Sequence, residues 1–319
     1  MNIKRDTNSV IKYPLARFGG VQPAPALWMS DLDLSEPEIH RVTVLGAEVE
    51  YCTWGQVGRP GVLLVHGLFA HSRWWGPVAP LLARNFRVAS LSLSGMGRSD
   101  WRSEYSFGDH AEEMLGVMRD AGFFAGGAKP GLVAHSFGAH SATVLAASHG
   151  DKLSRMVLVD TGMASGKHPS SSTKPRRYKA LSDALSRFRL SPPQNCENPW
   201  LVDEVARDGL VKDPDGSWRW CFDPDYVSKL RYFNSFAALP QSRCPLSFVY
   251  GEQSELTPSR IRRAQQAQAP AGTTFIEIPD AAHHVMLDQP VRLAETLRAL
   301  LLNPDEGGQG SGPAVSEFL

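Results

Sequence analysis

Short, continuous runs of apolar residues recur along the chain and predict buried β-strands. The run at residues 61–65 (GVLLV) is the clearest, because a strand that is covered on both faces needs no polar positions. Two strands joined by a turn at Gly46 precede it. In all, the pattern predicts eight strands, at residues 42–45, 48–53, 61–65, 86–93, 131–134, 156–159, 246–250 and 274–278.

Helical periodicity occupies most of the gaps between these strands. The segments concerned are residues 74–83, 109–121, 138–148 and 290–302. Strands that alternate with helices predict an α/β fold, in which a mostly parallel, eight-stranded sheet is flanked by helices. Active sites in such sheets lie at the carboxyl ends of the strands, so we expect the chemistry directly after one or more strands.

The stretch from residue 161 to residue 244 interrupts this alternation, since it contains helical segments but no buried-strand pattern. A structureless loop of that length is implausible in a compact domain. We therefore predict a helical cap at residues 162–240, inserted between strands six and seven of a core formed by residues 41–161 and 241–302. The aromatic residues of the cap suit a lid over an apolar pocket, although most of them could instead pack the cap's own core.

The two ends of the chain lack these patterns. Residues 1–40 are predicted to form an irregular leader, and the glycine-rich residues 303–319 a flexible tail. The N-terminus has no apolar run of the kind that signal peptides carry, and no segment has the roughly 20 apolar residues of a membrane span. We therefore expect a cytoplasmic protein that does not act on a membrane.

Composition narrows the function classes further. The 33 basic and 33 acidic residues balance, so the net charge does not point to nucleic acid. The four cysteines form no C-x-x-C pair, which argues against a zinc site or a disulfide scaffold. No metal-ligand spacing occurs among His71, His110, His140, His149 and His168. We expect a small-molecule substrate and neither a cofactor nor a metal. The sequence does not indicate an oligomeric state.

Residues 134–138 (AHSFG) carry the strongest catalytic pattern of the chain. They lie between a predicted strand and a predicted helix, where a nucleophile needs a very sharp turn with small residues two positions before and after it. Gly138 meets this requirement, and Ala134 stands where glycine is usual. Ser136 is therefore the candidate nucleophile.

Together with three further motifs, this segment resembles the α/β-hydrolase superfamily over roughly residues 41–302. The motifs are residues 66–69 (HGLF) after the third strand, residues 94–99 (SGMGRS) after the fourth and residues 279–283 (PDAAH) after the last. The resemblance implies the order nucleophile, acid, base along the chain, with Ser136 as nucleophile and His283 as base. His284 is the competing base, because a one-residue shift of the alignment exchanges the two histidines.

The acid is where the chain departs from the family's pattern. Residues 251–258 (GEQSELTP) match a G-x-x-D-x-x-x-P loop, but Ser254 occupies the aspartate position, and serine cannot stabilise an imidazolium electrostatically. We take Glu255 as the acid, with Asp160 at the end of the sixth strand as the alternative and Glu252 as a third choice. Without a catalytic role, Asp160 would be a strand-end residue that caps the following turn.

The resemblance also implies an oxyanion hole and a reaction class. The two donors would be the backbone amides of Leu68 and Phe137, with Phe69 as a substitute for the first. We expect a serine hydrolase of the carboxylesterase type that forms an acyl-Ser136 intermediate with a small, largely apolar substrate. The alternatives are carbon–carbon bond hydrolysis of ring-cleavage products, lactone hydrolysis, and a non-catalytic ligand-binding protein on a hydrolase frame.

Overall fold

The computed structural model describes residues 10–29, 35–162 and 176–303, and the structural statements below concern these residues. Their strands are β1 (Glu38–Val44), β2 (Ala47–Trp54), β3 (Gly61–Val65), β4 (Arg87–Leu91), β5 (Tyr105–Ser106), β6 (Gly131–His135), β7 (Arg155–Val159), β8 (Leu210–Lys212), β9 (Trp218–Trp220), β10 (Leu230–Arg231), β11 (Leu246–Gly251) and β12 (Thr274–Ile278).

The α-helices are α1 (Ala79–Leu82), α2 (Phe107–Asp120), α3 (Gly138–His149), α4 (Leu181–Leu185), α5 (Pro199–Asp208), α6 (Tyr226–Lys229), α7 (Ser259–Gln268), α8 (Val285–Asp288) and α9 (Pro290–Leu302). Short 3-10 helices occur at Ala16–Phe18, Leu27–Met29, Ser72–Trp75, Ala125–Gly127, Gly150–Lys152 and Ser235–Gln241. None of the helices in the described segments is both long enough and apolar enough to cross a membrane.

Eight of the strands form one sheet in the order β1-β2-β4-β3-β6-β7-β11-β12. Strands β1 and β2 pair antiparallel with their neighbours, and every other pairing in this sheet is parallel. These are the eight strands that the sequence predicts, with ends that differ by at most four residues. The structure therefore confirms the predicted α/β fold and its mostly parallel sheet.

The sheet has an apolar core on each face, because successive residues of a strand point to opposite sides. Leu63 and Leu132 lie in the cluster that α2 and α3 cover. Val62 and Val133, one position away in the same strands, lie in the cluster that α1 and α9 cover. The uninterrupted apolar runs that predicted these strands reflect this burial on both faces.

Three helices differ from the sequence prediction, among them the four-residue α8, which no pattern predicted. The helix expected at residues 74–83 is broken into the 3-10 helix Ser72–Trp75 and the short α1, because Pro77 has no amide hydrogen to continue the first helix. Helix α7 was not predicted at all. Only Gln265 of its ten residues is buried, so it carries no apolar stripe that a periodicity analysis could detect.

The segment between β7 and β11 holds α4, α5 and α6 and is not purely helical. It also contains the antiparallel pair β8 and β9 and the strand β10, which pairs with β5 of the core. Part of the predicted cap (residues 163–175), part of the predicted leader (residues 1–9 and 30–34) and the predicted tail from residue 304 lie outside the described residues. In the described part of the leader, Leu15 and Met29 are buried in the core.

Candidate active site

Ser136 lies in the turn between β6 and α3, at the carboxyl end of a central strand. Its φ of +50° is in the left-handed region, which a non-glycine residue adopts only where the surrounding structure imposes it. The Ser136 N–H donates to the carbonyl of Val159 at 3.0 Å. Thr161 Oγ1 donates to the carbonyl of Ser136, also at 3.0 Å. The strained turn is thus tied to the end of the neighbouring strand β7.

Gly138 is a steric requirement of this turn. A Cβ at this position would lie 2.5 Å from the carbonyl oxygen of His66 and 2.8 Å from Cγ1 of Val65. The start of α3 therefore packs directly on the end of β3, as the sequence pattern predicts. Ala134, the other small residue of the motif, is fully buried in β6.

His283 lies against a buried carboxylate, that of Asp160. Its Nδ1 is 2.7 Å from Oδ2 of Asp160, and neither side chain is more than 3% exposed. The other carboxylate oxygen accepts from Thr257 Oγ1 at 2.8 Å and from the Gly251 N–H at 3.1 Å. Because Nδ1–H donates to the carboxylate, Nε2 is the nitrogen of His283 that keeps a lone pair.

Glu255 does not take the position that we expected for the acid. Its side chain is exposed, as is that of Glu252, whereas Asp160 occupies the place beside His283. Ser254 Oγ donates to Oδ2 of Asp160 at 2.6 Å. Since β7 and β11 are adjacent in the sheet, the serine at the family's aspartate position reaches the carboxylate of the neighbouring strand. The geometry therefore favours Asp160, the alternative, over Glu255 as the candidate acid.

The loop after β12 carries both candidate bases. It contacts the core and the segment between β7 and β11, which we call the insertion. A Cβ at Gly251 would lie 2.2 Å from the carbonyl oxygen of Ala282, so only glycine allows this approach. The Ala282 N–H and the side-chain amide of Gln194 both donate to Oδ2 of Asp288 at 2.8 Å. The Gln194 oxygen accepts the N–H of His284 at 2.9 Å.

His284, the competing base, has a different environment from His283. Both rings are buried, but neither ring nitrogen of His284 has a hydrogen-bond partner among the described residues. Burial holds the pKa of His284 well below its usual value. The geometry therefore joins His283, and not His284, to the carboxylate.

The segment that follows β3 runs directly past the candidate nucleophile. A Cβ at Gly67 would lie 3.2 Å from Cβ of Ser136. His66 holds this segment through the backbone, since its Nδ1–H donates to the Gly67 carbonyl (2.7 Å) and its Nε2 accepts the Leu93 N–H (3.0 Å). Burial lowers the pKa of His66 to about 3, which keeps the imidazole neutral for both bonds.

The candidate oxyanion donors differ in availability. The Phe69 N–H donates to the thioether sulfur of Met96 at 3.2 Å. Among the described backbone hydrogen bonds, neither the Leu68 nor the Phe137 amide is used. This favours Leu68 over Phe69 as the partner of Phe137. The bond to Met96 was not expected, because a thioether is a weak acceptor that carries no sequence signal for this role.

Aromatic residues of the insertion contact the core beside this segment. The rings of Phe69 and Phe222 are 4.6 Å apart between centroids, and those of Tyr105 and Tyr226 are 4.4 Å apart. The Tyr105 hydroxyl donates to Oδ2 of Asp223 at 2.7 Å. These rings of the insertion therefore pack on the core rather than only on one another.

Known proteins resemble this chain in sequence and in fold. A family model described as the alpha/beta hydrolase family matches residues 62–296. The lipase LipV from Mycobacterium tuberculosis is 30% identical over 179 residues, which cover 52% of this chain and 64% of that protein. A pimeloyl-(acyl-carrier protein) methyl ester esterase from Edwardsiella ictaluri is 23% identical over 246 residues, which cover 73% of this chain and 90% of that protein.

Among solved structures, a thioesterase domain from the curacin biosynthetic pathway superposes with a TM-score of 0.69 at 22% identity, over 84% of this chain and 100% of that one. At this identity the likeness shows the fold alone. The chain spans only 44% and 64% of the length of two curated relatives that it matches. The family model, in contrast, covers well over half of the chain and agrees with the observed sheet, so the chain belongs to the alpha/beta hydrolase family.

Proposed function

We propose that this protein is a serine esterase that hydrolyses its substrate through an acyl-Ser136 intermediate. The observation that carries the proposal is the strained turn at Ser136 beside the buried pair of His283 and Asp160. Acyl transfer by a serine needs a nucleophile, a base and a group that orients the base. Here they follow one another as Ser136, Asp160 and His283, which is the chain order of serine hydrolases with this fold.

In this mechanism Asp160 keeps His283 protonated at Nδ1, so that Nε2 takes the proton of Ser136 as its Oγ attacks the ester carbonyl. The same nitrogen then gives the proton to the leaving alcohol. Water hydrolyses the acyl-enzyme by the same proton route. Among the described contacts no hydrogen bond joins Ser136 Oγ to His283, and such bonds commonly tighten only when substrate is bound.

The negative charge of the tetrahedral intermediate would be stabilised by two backbone amides, those of Leu68 and Phe137. Their N–H groups are not used by other backbone groups in the described structure, and the segment of Leu68 passes next to Ser136. Loss of one such donor typically lowers the rate by about 10²–10³-fold. The bond from Phe69 to Met96 supports the proposal by holding this segment in place.

We propose an apolar small-molecule ester as the substrate class. The support is the contact between the rings of Phe69 and Phe222. Phe69 belongs to the segment after β3 that carries the Leu68 amide, so this contact lines that end of the site with apolar side chains. In this proposal the insertion is a lid over the site, and the protein acts in the cytoplasm. The lipase and the methyl ester esterase among the relatives support ester chemistry in this proposal.

The nucleophile is tested by labelling the folded protein with a fluorophosphonate probe and locating the adduct by mass spectrometry. We expect one adduct, on Ser136, and none in the Ser136→Ala variant. Ser148→Ala is the matched control, since Ser148 is an exposed serine near the end of α3, the helix that follows Ser136, and its loss should leave labelling unchanged. An unlabelled wild-type protein would contradict the enzymatic proposal.

The reaction class is tested with a panel of p-nitrophenyl esters of increasing acyl length, compared with lactones and with ring-cleavage products. We expect the highest kcat/KM on an ester. A higher value on a lactone or on carbon–carbon bond cleavage would assign the site to one of the two alternative reactions. A protein that binds these compounds without turning them over would be a ligand-binding protein on a hydrolase frame.

A further inference from the structure

Three buried histidines meet beside Ser136. They are His135 from the end of β6 and the adjacent pair His283 and His284 from the loop after β12, each at most 4% exposed. One nitrogen from each ring lies within 4.8 Å of the other two. Their spacing along the chain does not predict a ligand set, because the fold brings together two segments that are far apart in sequence.

The hydrogen bonds of the first two rings leave one lone pair on each. Nε2 of His135 lies 3.0 Å from the carbonyl oxygen of His283 and therefore donates to it, which leaves the lone pair on Nδ1. A Cβ at Gly67 would lie 3.1 Å from that Nδ1, so this nitrogen faces the segment beside the nucleophile. His283 donates from Nδ1 to Asp160 and keeps its lone pair on Nε2.

His284 is the member of the cluster that lacks partners. Both of its ring nitrogens are buried, and neither has a hydrogen-bond partner among the described residues. Its ring packs against those of Trp74 and His283, with centroids 5.1 and 4.8 Å away. A buried polar group without a partner is unfavourable, so a ligand that binds this nitrogen would supply a missing interaction.

Each of the three rings therefore has a nitrogen that makes no hydrogen bond within the described structure. An imidazole nitrogen with a free lone pair is the histidine atom that coordinates a metal ion.

We propose that His135, His283 and His284 form an inhibitory site for a transition-metal ion of the Zn²⁺, Ni²⁺ or Cu²⁺ class. These ions prefer imidazole ligands, whereas Mg²⁺ and Ca²⁺ prefer oxygen ligands and do not suit the site. Three nitrogen ligands leave the fourth position of a tetrahedral ion to water. The binding is independent of the enzyme's reaction, but its inhibitory effect rests on the proposed function.

The geometry indicates a reversible inhibitor rather than a resident ion. Tetrahedral coordination at 2.0–2.1 Å places ligand nitrogens about 3.4 Å apart, whereas those of the three rings lie within 4.8 Å of one another, so the rings have to close by up to about 1.4 Å. This movement lowers the affinity relative to a preformed site. Coordination by Nε2 of His283 occupies the lone pair that would accept the Ser136 proton, so hydrolysis stops while the ion is bound.

Binding is tested by isothermal titration of ZnCl₂ into the metal-free, full-length protein. We expect one equivalent of Zn²⁺ to bind to the wild type and to Ser136→Ala, and a Kd at least tenfold higher for His284→Gln. His135→Gln should weaken binding as well and provides a second test if the first variant does not fold. His149→Gln is the matched control, because His149 ends the twelve-residue helix α3, roughly 18 Å along its axis from the site.

Inhibition is tested separately on the hydrolysis of p-nitrophenyl butyrate. Zn²⁺ should inhibit the wild type and His149→Gln reversibly, EDTA should restore the rate, and Mg²⁺ should have no effect. The inhibitory concentration should rise for His284→Gln in parallel with its Kd. An active wild type that binds no Zn²⁺, or equal binding by the wild type and both cluster variants, would overturn the inference. Zn²⁺ binding by a protein without esterase activity would instead refute the proposed function and leave the metal site standing.

Discussion

The carboxylate of Asp160 accepts hydrogen bonds from four groups at the carboxyl ends of the strands. Besides His283, these are the hydroxyls of Ser254 and Thr257 and the N–H of Gly251. A fully buried carboxylate needs such partners, because an unpaired charge in the protein interior is strongly unfavourable. Ser254, at the position where the family's loop carries its acid, thus donates a hydrogen bond to a carboxylate from the adjacent strand.

Removal of the Asp160 charge should therefore impair catalysis. We expect Asp160→Asn to lower kcat by about 10³–10⁴-fold, since the variant cannot stabilise the imidazolium of His283. Glu255→Gln is the control with the same chemical change, and its exposed side chain should leave kcat within about twofold of the wild type. Steady-state kinetics on a p-nitrophenyl ester measures both. A large loss in Glu255→Gln with full activity in Asp160→Asn would restore Glu255 as the acid.

A second test at the scale of single residues concerns the packing of α3 on β3 at Gly138. Gly138→Ala should destabilise the protein by about 1–3 kcal/mol and lower activity, because the new methyl group would lie 2.5 Å from the His66 carbonyl oxygen. Gly108→Ala in α2 is the control: its Cβ would meet only Ser106 Oγ, at 3.6 Å, and the change should stabilise the helix by about 0.5–1 kcal/mol. Urea denaturation followed by circular dichroism measures the unfolding free energy of both variants and distinguishes the expected loss in Gly138→Ala from the expected gain in Gly108→Ala. Equal stability of both variants would contradict the close packing of α3 on β3.

At the scale of elements, apolar runs predict the strands well and the helices unevenly. All eight sheet strands appear where the pattern places them. The pattern is clearest for β3, β6 and β7, which are buried at every position, whereas the edge strands β1 and β12 are mostly exposed or half-buried. Helix α9 matches its prediction at both ends. Helix α7 has one buried residue and leaves no apolar pattern, so local sequence does not distinguish it from a polar loop. Burial, rather than helix propensity, decides which elements can be detected.

The loop that carries His283 depends on contacts from another element, the segment of the insertion before α5. Gln194 donates to Asp288, and the side-chain amide of Asn198 donates to the Leu287 carbonyl at 2.8 Å. Asp288 in turn accepts the N–H of Ala282. The position of His283, the candidate base, is therefore coupled to the insertion through the carboxylate of Asp288.

This coupling predicts a pH dependence of stability. Burial raises the pKa of Asp288 from its usual 3.8 to about 6, against the opposing effect of its hydrogen bonds. Between these two values the folded protein holds a proton that the unfolded chain has released, so this group's contribution to stability falls as the pH rises from 4 to 6 and is constant above that. The change is at most about 3 kcal/mol, at roughly 1.4 kcal/mol per pKa unit.

The measurement is the difference in unfolding free energy between the wild type and Asp288→Asn at pH values from 4.5 to 8. Asparagine keeps the shape of the side chain and does not titrate, so contributions from other groups cancel in the difference. We expect the wild type to lose stability relative to the variant as the pH rises to about 6. A difference that does not change with pH, or one of the opposite sign, would contradict the raised pKa.

At the scale of the whole molecule, hydrogen bonds around Asp223 join the insertion to the core, and we call this group of contacts the polar anchor. Asp223 accepts the Tyr105 hydroxyl and the ammonium group of Lys229, both at 2.7 Å. The Tyr105 hydroxyl also accepts the N–H of Arg102 at 3.1 Å. Next to this anchor, β10 of the insertion pairs in parallel with the short strand β5 of the core. Backbone hydrogen bonds therefore also join the insertion to the core.

Tyr105→Phe should loosen this connection. The variant keeps the ring contact with Tyr226 but leaves the Arg102 N–H without its acceptor, so we expect a loss of about 1–3 kcal/mol in unfolding free energy. Amide hydrogen exchange should also increase in α6 and β10. Tyr13→Phe, in the leader, is the control and should change neither quantity. Unchanged exchange in Tyr105→Phe would mean that the insertion does not depend on this anchor.

The sequence by itself determined the strands, the α/β fold and the candidates Ser136 and His283, because these depend on local patterns: apolar runs, and small residues around a sharp turn. Only the tertiary structure showed that Asp160, and not Glu255, lies beside His283, and only it assembled His135, His283 and His284. Those outcomes depend on which strands are neighbours. Asp160 meets His283 because β7 lies beside β11, and its N–H donates to the Val249 carbonyl across that pair at 2.8 Å. Contacts between segments so distant in sequence are set by the packing of the sheet, which no local pattern encodes.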